Sequence, residues 1–281
     1  MEKAMRVFIA VILGVGVASS ALAQVDGRQR GTPVIPTNRL VTNESVVVTR
    51  SPIAAFVQDP DVRPVASVGH IDITGAPELD DMAAAIGRQA EQAYQRVGAS
   101  LRHELSLRPL LVLYATTGEL RAAVQTRTVP GNREHLLLPL DIPAARLDGV
   151  LAHEISHMFL FDMLPASRQV PSWLLEGLAE LHRGEWQPAD VAALKGVLAE
   201  GVPTLSLIEA GDDRRSRIIG HAMFDFLVMR VGVDGPTRLL TSLTQNPAVT
   251  SIDAYLGVAG VSPDEFNRAF DVFVKTRRSA P

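Results

Sequence analysis

Hydrophobic and polar positions follow two different periods along this chain, and the change of period divides it. "VASVGHIDITG" at 65–75 alternates like a strand, and "PELDDMAAAIGRQAEQAYQRVGASL" at 77–101 spaces Ala, Leu and Ile as a long amphipathic helix does. "RPLLVLYAT" at 108–116 is a compact apolar run that predicts a buried strand, with a short helix after it near "GELRAAVQ" at 118–125. "EHLLLPLD" at 134–141 predicts a further strand, and Pro139, which has no N–H to give to a ladder, favours an edge position for it.

Past Pro143 the period is helical almost to the end. "AARLDGVLAHEISHMFLFDML" at 144–164 has the length and apolar content of a buried helix, and "PSWLLEGLAELHRG" at 171–184 starts on Pro171 and Ser172, residues common at helix beginnings. Further helices are predicted at 189–201, 217–232, 235–246 and 262–278. Ser262 and Glu265 form an S-x-x-E capping box before the last of these. The pattern therefore predicts an α+β chain: a small mixed sheet with helices over about 65–142, then a mainly helical half over about 143–281.

The first 64 residues have a different texture. Lys3 and Arg6 precede the apolar run "VFIAVILGVGVASS", and Ala21-Leu22-Ala23 fits a small-residue cleavage site, so residues 1–23 read as a signal peptide. Residues 24–64 are rich in Pro, Thr, Asn, Gly and Arg and read as a flexible or loosely docked arm with one short strand at Val46 to Thr49. The expected product is exported, periplasmic or secreted, with no stable membrane span after cleavage, because no later stretch holds the roughly 18 uninterrupted apolar residues a span needs.

Composition sharpens this in two places. The chain has 281 residues, 47% of them hydrophobic, enough for a sizeable core, and no cysteine, so an exported fold must rest on that core, helped by a metal if one binds. Without Glu2, Lys3 and Arg6 the count is 25 basic and 30 acidic residues, a net charge of −5. That balance and the absence of a basic run speak against nucleic acid; the densest cluster, Arg214, Arg215 and Arg217 after Asp212 and Asp213, reads as an exposed turn.

Candidate chemistry lies where the sheet half meets the helical half, in "LAHEISHMFLFD" at 151–162. Residues four apart share a helix face, so His153 and His157 offer two imidazole nitrogens to one point, a metal clamp by geometry. Glu154 leans over the same point without being a ligand, placed to take a proton from a water activated there. A catalytic zinc takes three protein ligands, so one more is required. Glu176 in "WLLEGLAE" follows His157 after 18 residues, and Glu180, one turn further on the same face, is placed to accept a hydrogen bond from the back of a ligand histidine. H-E-x-x-H arises by chance in about one such chain in a hundred, and a glutamate at one prescribed later position makes it rarer still.

"HEISH", 18 residues, then Glu176 resembles the H-E-x-x-H-x18-E arrangement of gluzincin metallopeptidases, closest to the bacterial peptidase MA-like proteins, and the order of elements from about 66 to 276 is similar too. The resemblance implies a zincin-like fold, Zn2+ held by His153, His157 and Glu176, Glu154 as general base, and a peptide or protein substrate. It also implies a donor for the oxyanion from a later helix, where His221, with Asp225 four residues on to orient it, is the candidate. No G-x-M-E-N segment is present, so the resemblance favours an endopeptidase. An inactive scaffold that binds metal or peptide in the cell envelope is the alternative, and the retained Glu154 argues for the enzyme. Substrate is expected to lie extended along an exposed strand edge, with "EHLLLPLD" as the candidate edge, though a plain core or edge strand reads equally well there.

Overall fold

The alternation over 65–75 resolves into two strands rather than one. In a computed structural model, which describes residues 47–49, 63–120, 135–165, 167–184, 186–201, 204–205, 208 and 213–278, β2 (Arg63–Val68) and β3 (Ile71–Gly75) pair antiparallel as a hairpin. Gly69, with φ +52°, supplies the positive φ that a two-residue hairpin turn needs. Alternation alone does not register that reversal, because it continues on both sides of the turn.

β4 (Leu110–Tyr114) and β5 (His135–Pro139) form where expected, and each runs parallel to the strand before it in the order β3, β4, β5. The three-residue β1 (Val47–Thr49) joins β5 antiparallel, Val47 opposite Leu137, so the mixed sheet reads β1-β5-β4-β3-β2. This corrects the edge expectation for β5: along 135–137 its outer side is taken by β1. Pro139 lies beyond the last β1 pair. Leu140 donates its N–H towards β4, to the Tyr114 carbonyl at 2.8 Å, so the ring nitrogen of Pro139 faces the outer side, where no donor is required.

The amphipathic helix expected at 77–101 is a short 3-10 turn at Pro77–Leu79 leading into α1 (Asp80–Leu101), which buries Ile86, Ala90, Tyr94 and Val97. α2 (Ala144–Met163) carries the motif, α3 (Ser172–Arg183) follows, and α4 (Pro188–Ala199), α5 (Asp213–Val231) and α6 (Gly235–Gln245) lead to α7 (Ser251–Ala259) and α8 (Pro263–Arg278). α5 begins a turn before its expected start at Arg217. α7 is unforeseen, being short, although its ends are marked: the Thr250 hydroxyl accepts from Asp253 N–H at 3.0 Å, and Gly260 ends the helix with φ +66°. The capping box forms as read, with Ser262 N–H on Glu265 at 2.8 Å and Glu265 N–H on the Ser262 hydroxyl at 3.3 Å.

The fold class is therefore α+β, a small mixed sheet followed by a mostly helical remainder. One apolar core runs from Ile71 and Ile73 of the sheet through Phe159 of α2 and Trp173 of α3 to Phe226, Phe266 and Phe270. The expected signal peptide at 1–23, the expected arm apart from 47–49 and 63–64, and the expected helix at 118–125 beyond its helical start at 117–120 fall outside the described residues. No helix among the described residues is long and apolar enough to cross a membrane.

Candidate metal centre

Every residue of α2 from Val150 to Leu160 is buried. Such a helix sits inside the core, so each polar side chain on it must find a partner or a purpose. Ser156 has a partner in the Nδ1 of His182, 2.8 Å away, and the Nε2 of His182 reaches the Ser100 hydroxyl at 3.2 Å, tying α3, α2 and α1 together. Burial lowers the pKa of His182 to about 4, so this bridge is neutral.

His153, Glu154 and His157 turn the other way. The Nε2 atoms of the two histidines stand 3.2 Å apart, with the rings at 88° to each other. From α3, Glu176 places Oε2 at 3.6 Å from His153 Nε2 and Oε1 at 3.7 Å from His157 Nε2. These three side chains form a buried group able to hold a metal ion, with their ligand atoms all within 4.8 Å of one another. Tetrahedral zinc with bonds of about 2.0–2.1 Å separates neighbouring ligand atoms by about 3.3 Å, so the donor atoms fit that ion. Glu154 Oε1 lies 3.9 Å from His153 Nε2, beside the triad and outside it.

Glu176 reaches the two histidines from α3 across a turn that Arg168 pins. Arg168 donates to the Leu243 carbonyl at 3.1 Å and the Asn246 carbonyl at 3.0 Å, at the C-terminal end of α6, and to the Val249 carbonyl at 3.1 Å. Beyond the turn, Trp173 packs on Phe224 and Tyr255 and sets the rotation of α3. α3 and α5 then approach until their backbones touch. A Cβ at Gly177 would lie 2.4 Å from the Gly220 carbonyl carbon, and one at Gly220 would lie 2.3 Å from the Trp173 oxygen. Neither Arg168 nor the glycine pair carries a motif that spacing along the chain reveals.

Glu180 supports the centre from behind. Its Oε1 is 3.0 Å from His153 Nδ1 and 2.7 Å from Arg217 Nε, and its Oε2 is 2.8 Å from Arg183 Nη1. Burial pushes its pKa up, but His153 and then Arg217 and Arg183 outweigh this and hold the carboxyl well below its ordinary range. The reading of Arg217 as part of an exposed turn is thereby corrected for that residue: its side chain is 19% exposed and paired inward, while Arg215 stays outside against Glu200.

With the protein's own charges alone, burial raises Glu154 to about 8, with Glu176 adding to the rise while His153 and Arg217 oppose it. Burial alone would lower His153, but contact with Glu180 and the charges of Glu154 and Glu176 raise it. His157 is held well below its ordinary value by burial and by His153, which leaves it neutral, the form a ligand needs. The Nδ1 of His157 is buried without a hydrogen-bond partner, so the two histidines are supported unequally.

His221 is buried on α5, its ring stacked on Trp186 at 4.3 Å, and its Nδ1 has no hydrogen-bond partner. The expected orienting carboxylate, Asp225, accepts from Trp186 Nε1 at 2.8 Å. The remaining histidines with described side chains are satisfied locally, His70 by Glu91 at 2.8 Å and His103 by Asp162 at 2.7 Å, so Asp162 serves the loop after α1 and not the triad. The side chain of His135 lies outside the description. No protein-family model matches this chain and no curated protein does, so the resemblance of its motif stands on the residues themselves.

Proposed function

We propose that this protein is an exported, zinc-dependent metallopeptidase of zincin-like fold, an endopeptidase acting on extended peptide or protein substrates in the periplasm or outside the cell. The observation that carries the reading is the buried triad: the two Nε2 atoms lie 3.2 Å apart, Glu176 brings Oε2 to 3.6 Å from one and Oε1 to 3.7 Å from the other, and a further acidic side chain, Glu154, stands beside it. A helix with two incidental histidines has no reason to bury both with three carboxylates.

Zinc, when bound, supplies Lewis acidity that polarises a scissile carbonyl and acidifies a water beside it. His153, His157 and Glu176 hold it, and Glu180 orients His153 from the far side. Glu154 takes the proton of the attacking water and returns it to the leaving amine. In the metal-free site burial raises its pKa, and a divalent cation beside it favours the ionised form that accepts a proton. Along 135–137 the outer side of β5 is taken by β1, so substrate binding there by strand addition requires β1 to leave. His221, buried on α5 against Trp186, is the candidate oxyanion donor, while the metal chemistry rests on the other five side chains.

The test is hydrolysis of a broad peptide library by the chain lacking residues 1–23, with and without a chelator, beside Glu154→Gln. The expected outcome is cleavage that the chelator abolishes and zinc restores, and a loss of about 10²–10⁴-fold in Glu154→Gln with zinc still bound. Cleavage that survives both treatments would remove the zinc enzyme. Zinc bound without cleavage of any library member would leave the envelope binding module.

A further inference from the structure

We propose that Arg217 is a positioning residue of the metal centre: reaching from α5, it locks the Glu180 carboxylate in the orientation that supports His153, and so sets how tightly the site holds its metal. The proposal rests on the zinc-site reading above and concerns the strength and geometry of that site, not its chemistry.

The argument starts from the freedom of a glutamate. The terminal torsion of Glu is broad, so a carboxylate fixed through one oxygen still swings about it. Glu180 is contacted at both, by a hydrogen bond at Oε2 and by a close ion pair at Oε1. Arg183 takes Oε2 at 2.8 Å, and Arg217 Nε stands 2.7 Å from Oε1, the oxygen that also faces His153 Nδ1 at 3.0 Å. The two arginines are not equivalent. Arg183 is three residues along the same helix and moves with Glu180, and it reaches Asp190 of α4 only at 3.6 Å. Arg217 belongs to α5, whose backbone is locked against α3 at Gly177 and Gly220. It is therefore the member of the group that refers the Glu180 carboxylate to α5 by direct contact.

A bystander arginine that only neutralises a buried acid would also occupy this place, and charge alone separates poorly from geometry at so short a distance. Arg217→Met removes both charge and fork. Arg217→Lys keeps the charge but replaces the planar guanidinium with a compact ammonium on a flexible stem. Arg215→Met, at the exposed partner of Glu200, is the control on the same helix. Zinc affinity is read by competition with a chromophoric chelator on the full exported chain, and site geometry by the visible spectrum of the cobalt-substituted protein.

Arg217→Met is expected to bind zinc about 10-fold or more weakly, with a changed cobalt spectrum, Arg217→Lys to recover part of both, and Arg215→Met to match the wild type. In a Glu180→Gln background the Arg217→Met effect is expected to vanish, since the carboxylate it positions is gone. Unchanged affinity and spectrum in Arg217→Met, or losses that simply add in the double variant, would overturn the proposal. If Arg217→Met does not fold, Arg217→Lys carries the test, and an affinity and spectrum equal to the wild type would overturn it. A wild-type chain that binds no zinc would overturn this inference together with the proposed function, whereas one that binds zinc and cleaves no peptide leaves these readouts intact.

Discussion

The Nδ1 of His153 stands 3.0 Å from Glu180 Oε1, on the side of the imidazole turned away from His157 and Glu176. A carboxylate there fixes the tautomer that leaves Nε2 free to ligate. Glu180→Gln is expected to weaken zinc binding by about 10–100-fold, and to cost on the order of 3 kcal/mol of stability because Arg217 and Arg183 lose their buried counter-charge. Zinc competition and urea unfolding measure the two effects separately.

His182 gives the metal-free fold a pH dependence of definite sign. Its folded pKa is about 4 against an ordinary 6.5, so between these values the unfolded chain binds a proton that the folded chain refuses. Stability from this residue is complete above about pH 6.5, falls as the pH drops towards 4, and levels off below; the whole change is about 3 kcal/mol. Urea unfolding in chelator at pH 7 and pH 4.5 is expected to show a larger drop for wild type than for His182→Gln. Equal drops would mean that His182 does not titrate in this way.

Gly177 and Gly220 let two helices meet backbone to backbone. Alanine at Gly177 drives its Cβ into the Gly220 backbone and is expected to cost about 3 kcal/mol. Since Glu176 and Arg217 lie on the two helices forced apart, zinc affinity is expected to fall as well. Calorimetry with and without zinc follows both quantities.

His221→Ala removes a buried ring stacked on Trp186. The expected result is a stability loss of about 2 kcal/mol with zinc affinity unchanged. Turnover of the folded, zinc-loaded variant is the decisive reading: a fall of about 10²-fold is expected of a transition-state donor.

The metal triad was legible because each of its steps is local. His153 and His157 converge wherever a helix forms, and Glu176 needs only one turn between two helices to reach them. What stayed hidden depends on approach between segments far apart in the chain. Arg217 looked like one of three exposed arginines because nothing in "DDRRSRIIG" says which of them faces α3. Arg168 gains its meaning from carbonyls at Leu243, Asn246 and Val249, some 80 residues away. The hairpin at Gly69 and His70 was concealed for a different reason, since two short strands in continuous alternation look like one long one.

The contact of Gly177 with Gly220 also bears on motion. With no side chain between them, α3 and α5 have no cushion over which one could slide or roll on the other. The helical half then behaves as a fixed jaw that carries the third ligand, its supporting carboxylate and the arginine behind it as one piece. In the proposed peptidase, movement that admits a substrate would then come from the opposing, sheet-bearing side.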